Sequence, residues 1–182
     1  MKYFKKITGK KCYLSPMNMN DFDQYTEWLN DLNTTKYLSL SSVNITLEAE
    51  KKALENLSRG HNYAIIDCET DKLIGNVGLM DMDGTNRSAE IGIFIGNKDF
   101  LSKGYGTEAI NLLLDYSFNV LNFKNIMLKV FSYNKRAVNC YQKCGFKIIG
   151  KRRKAHFYAG EYHDIIYMDI LSNEFENSQI KE

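Results

Sequence analysis

Nine residues, Leu101-Ser-Lys-Gly-Tyr-Gly-Thr-Glu-Ala109, restrict what this chain can fold into more than any other stretch. Two closely spaced glycines run directly into a long apolar segment, so the pattern predicts a tight loop opening a helix from Thr107 to Leu121. Such a junction presents unpaired main-chain N–H groups and the positive end of a helix dipole. Gly104 and Gly106 leave out side chains where a ligand must come close to the backbone, and the expected occupant is a phosphate.

Gly104-Tyr-Gly106-Thr-Glu-Ala109 also spells a dinucleotide fingerprint, but the context excludes it. That motif needs a strand running into its first glycine and an acid about 20 residues further on. Here the apolar run Glu90 to Ile95 stops well short of Gly104, and Ile126-Met-Leu-Lys-Val130 carries no acid. No Gly-Lys-Ser/Thr follows a longer glycine loop, which removes a P-loop as well.

The 182 residues fit one domain, taken as 1–182 with a core over about 11–171 and a polar, frayed tail over 172–182. A net charge of +2 argues against nucleic acid, and Lys151-Arg-Arg-Lys154, the one basic run, reads as a solvated strand edge. No apolar run is long enough to span a membrane, and Met1 to Lys6 lacks the apolar segment of a signal peptide, so the expected location is cytoplasmic. The four cysteines and three histidines show no metal-ligand spacing, and no metal is expected.

Periodicity supplies the rest of the frame. Lys11 to Ser15 reads as a first strand, Phe22 to Asn30 as a helix capped by Asp21, and Leu47 to Leu57 as a helix capped by Thr46. Asn62 to Asp67, Lys72 to Met80 and Ser88 to Ile95 read as an antiparallel meander, with Gly75, Gly78 and Gly92 marking bulges or close backbone approach. Ile126 to Phe131 is a strand, Asn134 caps a helix from Lys135 to Lys143, and Gly145 closes it in a left-handed cap. Phe146, then His156 to Tyr158 and Tyr162 to Leu171, supply the last β segments.

The loop Leu101 to Ala109, the downstream Asn134-Lys-Arg-Ala-Val-Asn-Cys-Tyr141 and the Gly145-Phe146 that follows resemble the GNAT superfamily of N-acetyltransferases. The nearest branch resembles the ribosomal-protein N-terminal and diamine acetyltransferases. The resemblance implies an α+β GNAT fold, a mixed, mostly antiparallel central sheet with splayed central strands flanked by helices. It implies acetyl-CoA as cosubstrate and a primary amine, a protein N-terminus or small polyamine, as acceptor. An amino-sugar acetyltransferase and a non-catalytic acyl-CoA sensor are the alternatives, and the assembly is a monomer or homodimer.

By the same resemblance, amides of Lys103, Gly104, Tyr105, Gly106 and Thr107 hold the CoA pyrophosphate, and Leu101 stands where the superfamily usually has Gln or Arg. Backbone groups of Phe94 and Ile95 meet the pantetheine arm, and Asn134 touches it. Tyr141 is the expected general acid for the departing thiolate, with a buried packing role as its plain alternative. Glu90 is the best placed acidic candidate for a base. Glu161, His163 and Asp164 lie in a segment that resembles an acceptor-side loop, where the two acids would attract a cationic amine.

Overall fold

A computed structural model describes residues 2–180. Along the chain run β1 (Ile7–Thr8), β2 (Cys12–Pro16), α1 (Phe22–Asn30), α2 (Leu32–Thr35), α3 (Leu47–Ser58), β3 (Asn62–Asp67), β4 (Leu73–Asp83) and β5 (Ser88–Ile95). They are followed by α4 (Tyr105–Asn119), β6 (Asn125–Phe131), α5 (Lys135–Lys143), β7 (Lys147–Tyr158) and β8 (Glu161–Leu171). The strand order is β1-β2-β3-β4-β5-β6-β8-β7. β5 and β6 pair in parallel, while β1–β2, β2–β3, β3–β4, β6–β8 and β7–β8 pair antiparallel, so the sheet is mixed, as expected.

Two compact units divide the chain, the first holding the residues up to Gly78 together with Ile93–Ala109. Its core forms because α1 and α3 each present one apolar stripe: Tyr25 and Leu54 are buried with Tyr13, Ala64, Ile66 and Leu73 from the strands. Burying a side chain such as Leu54, which is fully inaccessible, contributes about 1.5–3 kcal/mol. Thr46 caps α3 as expected, its hydroxyl accepting from Ala49 N at 3.2 Å.

Asp21 does not cap α1, contrary to the sequence reading. It is buried, accepts from the Tyr3 hydroxyl at 3.1–3.2 Å and pairs with Lys2 at 2.5 Å. A 3₁₀ turn, Met19–Asp21, precedes the helix instead, capped by Asn18, whose side chain accepts from Asn20 N. β1 and α2 are two elements the periodicity missed, each too short to show a period.

The second unit holds Leu79–Gly92 and the chain from Ile110 onward. Here Ile110, Leu113 and Leu114 of α4 are buried, as are Ile126 and Leu128 of β6 and Met168 and Ile170 of β8. Asn134 caps α5, its side chain accepting from Ala137 N at 3.2 Å, and Gly145 ends it at φ +96°, both as expected.

The tail is not frayed over its described part. Asp115, only 3% exposed, accepts from Ser178 Oγ at 2.8 Å, Gln179 N at 2.7 Å and Ile180 N at 3.1 Å. Phe175 packs on Phe118 with ring centroids 5.6 Å apart. The last strands also differ from expectation, because β7 is one strand from Lys147 to Tyr158. It absorbs a register shift between Arg152 and His156, where Lys154 takes a positive φ and donates its N–H to Asp164 Oδ1 at 3.0 Å.

Candidate active site

In the first unit the glycine loop follows a 3₁₀ turn, Lys98–Phe100, that ends at Leu101. Gly104 takes φ +91°, a conformation that strains any residue with a Cβ, and its carbonyl accepts from Glu108 N at 3.0 Å. Helix α4 therefore starts at Tyr105, two residues earlier than predicted, and Gly106 lies in its first turn. A Cβ on Gly106 would meet only Ile93 Cδ1, at 3.8 Å. The protein's own packing leaves room for a side chain there, which would stand over the first-turn amides. That is where a phosphate-binding helix needs bare backbone, so the junction fits the diphosphate of CoA.

Three side chains, those of Tyr105, Glu108 and Lys11, fix this junction. The Tyr105 hydroxyl donates to Asp67 Oδ1 at 2.8 Å, and its ring lies edge-on to Phe100 at 5.0 Å. The hydrogen bond to Asp67 pushes the phenol up to about 12, so it stays a donor. Glu108 reaches back to the β1–β2 turn and accepts from the main-chain N–H groups of Lys10, Lys11 and Cys12 at 2.8–2.9 Å. Burial pushes its carboxyl up, but these N–H groups outweigh it and hold the carboxyl below its usual range. Nothing in the local spacing points to Lys11, whose ammonium donates to Lys103 O at 3.1 Å.

The end of β5 belongs to the same unit. A Cβ on Gly75 would lie 1.9 Å from Phe94 O, so glycine is required for this close backbone approach, as its position in a strand suggested. The Phe94 ring packs at 6.2 Å on Trp28, which leaves its backbone, with that of Ile95, as what the residue can offer a ligand. Parallel pairing of β5 with β6 runs from Ser88↔Asn125 to Glu90↔Met127 and stops, although β5 continues to Ile95 and β6 to Phe131.

The second unit carries the remaining candidates. Glu90 pairs with Lys129 at 2.7 Å, with only 13% of its side chain exposed. The hydrogen bond to Glu90 pushes the Lys129 ammonium up, so it stays charged. Tyr141 lies on α5 with its ring 6.0 Å from Phe146, edge-on, and retains some exposed surface. Burial, then the neighbouring Cys140 and Cys144, push its phenol well above the usual tyrosine value, so it remains protonated through the neutral range. Asn134 is nearly buried and engaged in its cap.

Glu161, His163 and Asp164 open β8 in a hairpin, with Ala159 and Gly160 turning at positive φ. Asp164 is engaged by Lys154 N, and its own N–H donates to Ser132 Oγ at 3.2 Å. His163 packs against Tyr133 at 4.5 Å, beside a stack in which His156 lies 3.7 Å from Phe131 and Tyr158 lies 5.5 Å from Tyr133. Among the described residues no hydrogen bond joins Glu90 to Tyr141, and no group of three His, Cys, Asp or Glu could hold a metal. None of the described helices is long and apolar enough to cross a membrane.

Comparison with known proteins gives the family. A family model described as an acetyltransferase (GNAT) domain matches residues 11–147. An uncharacterized N-acetyltransferase, p20, of Bacillus licheniformis is 28% identical over 95% of this chain and 97% of its own length. A spermidine N(1)-acetyltransferase of Vibrio cholerae is 36% identical over 113 residues, 62% of this chain and 65% of that protein. The crystal structure of spermidine N-acetyltransferase from Vibrio cholerae in complex with CoA and spermine superposes with a TM-score of 0.82. It is 27% identical, covering 91% of this chain and 98% of that one. The chain is a member of the GNAT family of acetyltransferases, enzymes that take their acetyl group from acetyl-CoA.

Proposed function

We propose that the chain transfers an acetyl group from acetyl-CoA to a primary amine, a protein N-terminus or a small polyamine, by direct attack in a ternary complex. The observation that carries the reading is Gly106, glycine in a helix turn where the surrounding packing does not demand it but a bound diphosphate does. In this reading the amides of Lys103 to Thr107 hold the diphosphate in the loop that Leu101 opens, and backbone groups of Phe94 and Ile95 receive the pantetheine arm and polarise the thioester carbonyl. Asn134 flanks the arm while capping α5.

The acceptor must attack as a free amine. An alkyl ammonium of pKa about 10.4 is mostly protonated at neutral pH, whereas an α-amine at about 7.7–8.0 is far less so. Glu90 takes the proton, directly or through water, with the Lys129 ammonium paired to its carboxylate. The amine nitrogen then bonds to the thioester carbon, the C–S bond breaks, and the thiolate leaves with a proton from Tyr141. Likeness to spermidine acetyltransferases supports a polyamine acceptor.

The acceptor class is tested by supplying acetyl-CoA with spermidine, with short peptides carrying free N-termini, and with amino sugars, and following acetylated product. Product from the first or second group is expected. Acetylation of the amino sugars alone would refute the reading.

A further inference from the structure

We infer that Lys11, a residue of the β1–β2 turn, supplies the positive charge that meets a phosphate of the cofactor. The inference rests on the loop being the cofactor cradle and adds a residue from a distant part of the chain to it. Three observations carry it.

The first is position. The Lys11 ammonium donates to Lys103 O at 3.1 Å and lies 5.8 Å from the Tyr105 ring centroid. Its Cε is 3.8 Å from where a Cβ of Gly104 would stand. It therefore lies against the loop on the side that Gly104 leaves bare.

The second is charge. No carboxylate lies within ion-pair distance of Lys11 among the described residues, so its charge is available to an anion. The two nearby acids are already engaged. Glu108 is committed to three main-chain N–H groups and Asp67 to the hydroxyls of Tyr105 and Thr70. Two of the N–H groups on Glu108 belong to Lys11 and its neighbour Cys12, so the carboxylate that begins the cofactor helix also fixes the backbone from which Lys11 reaches the loop.

The third is the loop's own composition. Leu101, at its opening, has no polar group to offer, and Lys103 contributes its carbonyl to Lys11 while its side chain is exposed. A cation from the β1–β2 turn adds to what the loop itself offers. The partner is a phosphate, of the diphosphate or of the 3′ position of the ribose.

The test measures binding of CoA, dephospho-CoA and acetyl-pantetheine to wild type and to Lys11→Met, Lys11→Gln and Lys11→Arg. A charge-assisted hydrogen bond to phosphate is worth about tenfold in affinity or more, so Met and Gln should weaken CoA at least about tenfold while Arg holds it near wild type. Acetyl-pantetheine, which has no diphosphate or 3′-phosphate, should bind all four proteins alike. A loss shared by CoA and dephospho-CoA places the contact at the diphosphate, and a loss for CoA alone at the 3′-phosphate. Wild-type affinity in Lys11→Gln, which can still donate to Lys103 O, would reduce Lys11 to a prop and overturn the inference. So would an equal loss with acetyl-pantetheine. If wild type binds CoA and Gly106→Val abolishes it while Lys11→Met changes nothing, the inference alone falls. If Gly106→Val folds and still binds CoA as wild type does, the cradle itself falls.

Discussion

The Glu90 carboxylate and the Lys129 ammonium are 2.7 Å apart, so the proposed base sits in an ion pair. Two roles follow from the same contact, a proton acceptor held ready or a plain strand-to-strand ion pair.

They separate under mutation. If Glu90 takes the amine proton, Glu90→Gln lowers kcat with an alkyl amine by about 10²–10⁴-fold and costs much less with an α-amine that is already largely neutral. Lys129→Met, which leaves the carboxylate in place, costs less than Glu90→Gln. If the pair is only structural, both variants leave turnover intact and change stability by no more than about 1 kcal/mol. Steady-state kinetics of both variants with both amines decides.

The two loop glycines should fail differently. Gly106→Val meets only ordinary contact inside the protein, so it keeps the fold and loses acetyl-CoA binding. Gly104→Val also forces a branched side chain into φ +91° and costs about 1–3 kcal/mol of stability. Calorimetric titration with acetyl-CoA, paired with thermal melts, checks this. Normal affinity in a folded Gly106→Val would contradict the cradle.

Tyr141→Phe keeps the ring against Phe146 and removes the proton. If Tyr141 is the acid, kcat falls by about 10²–10⁴-fold while acetyl-CoA affinity stays near wild type. Because burial holds the phenol protonated, the wild-type rate should show no fall from this group up to about pH 10, the ordinary tyrosine value. Turnover within about threefold of wild type, with acetyl transfer rate-limiting, would leave the thiolate to be protonated by water.

Much of this site is legible in the sequence, because its parts are local. Gly145, Asn134 and Thr46 act through their own backbone or within three residues of it, and each has the conformation or cap expected. What escaped are contacts between distant residues. Lys11 meets a loop 92 residues away, and Asp115 holds a tail more than 60 residues on, and neither leaves a mark on local spacing. Asp21 misleads because an acid before an apolar stripe looks the same whether it caps the helix or accepts from Tyr3. β7 was read as two pieces because an exposed edge strand has no buried face to impose alternation, and its bulge interrupts what pattern remains.

Glu50 gives a prediction about stability and pH. It is 4% exposed in the first turn of α3, and burial pushes its carboxyl up to about 7. An acid whose folded pKa is raised binds more protons when folded, so stability falls as pH rises from the unfolded value, 4.5, through about 7. Glu50→Gln should therefore stabilise the protein at pH 8 by up to roughly 3 kcal/mol and by little near pH 4.5. Urea melts at both pH values measure it, and an equal gap at both would mean that the carboxylate's charge is not the cause.

The most direct test of the account is amine-dependent thiol release, measured together with the mass of the protein. Mixed with acetyl-CoA alone, the chain should release almost no CoA thiol and keep its own mass, since the acetyl group waits on the cofactor. Adding a primary amine of the accepted class should release one thiol for each acetylated amine formed. Thiol release without amine, accompanied by an acetylated chain, would contradict direct transfer and point to a covalent intermediate.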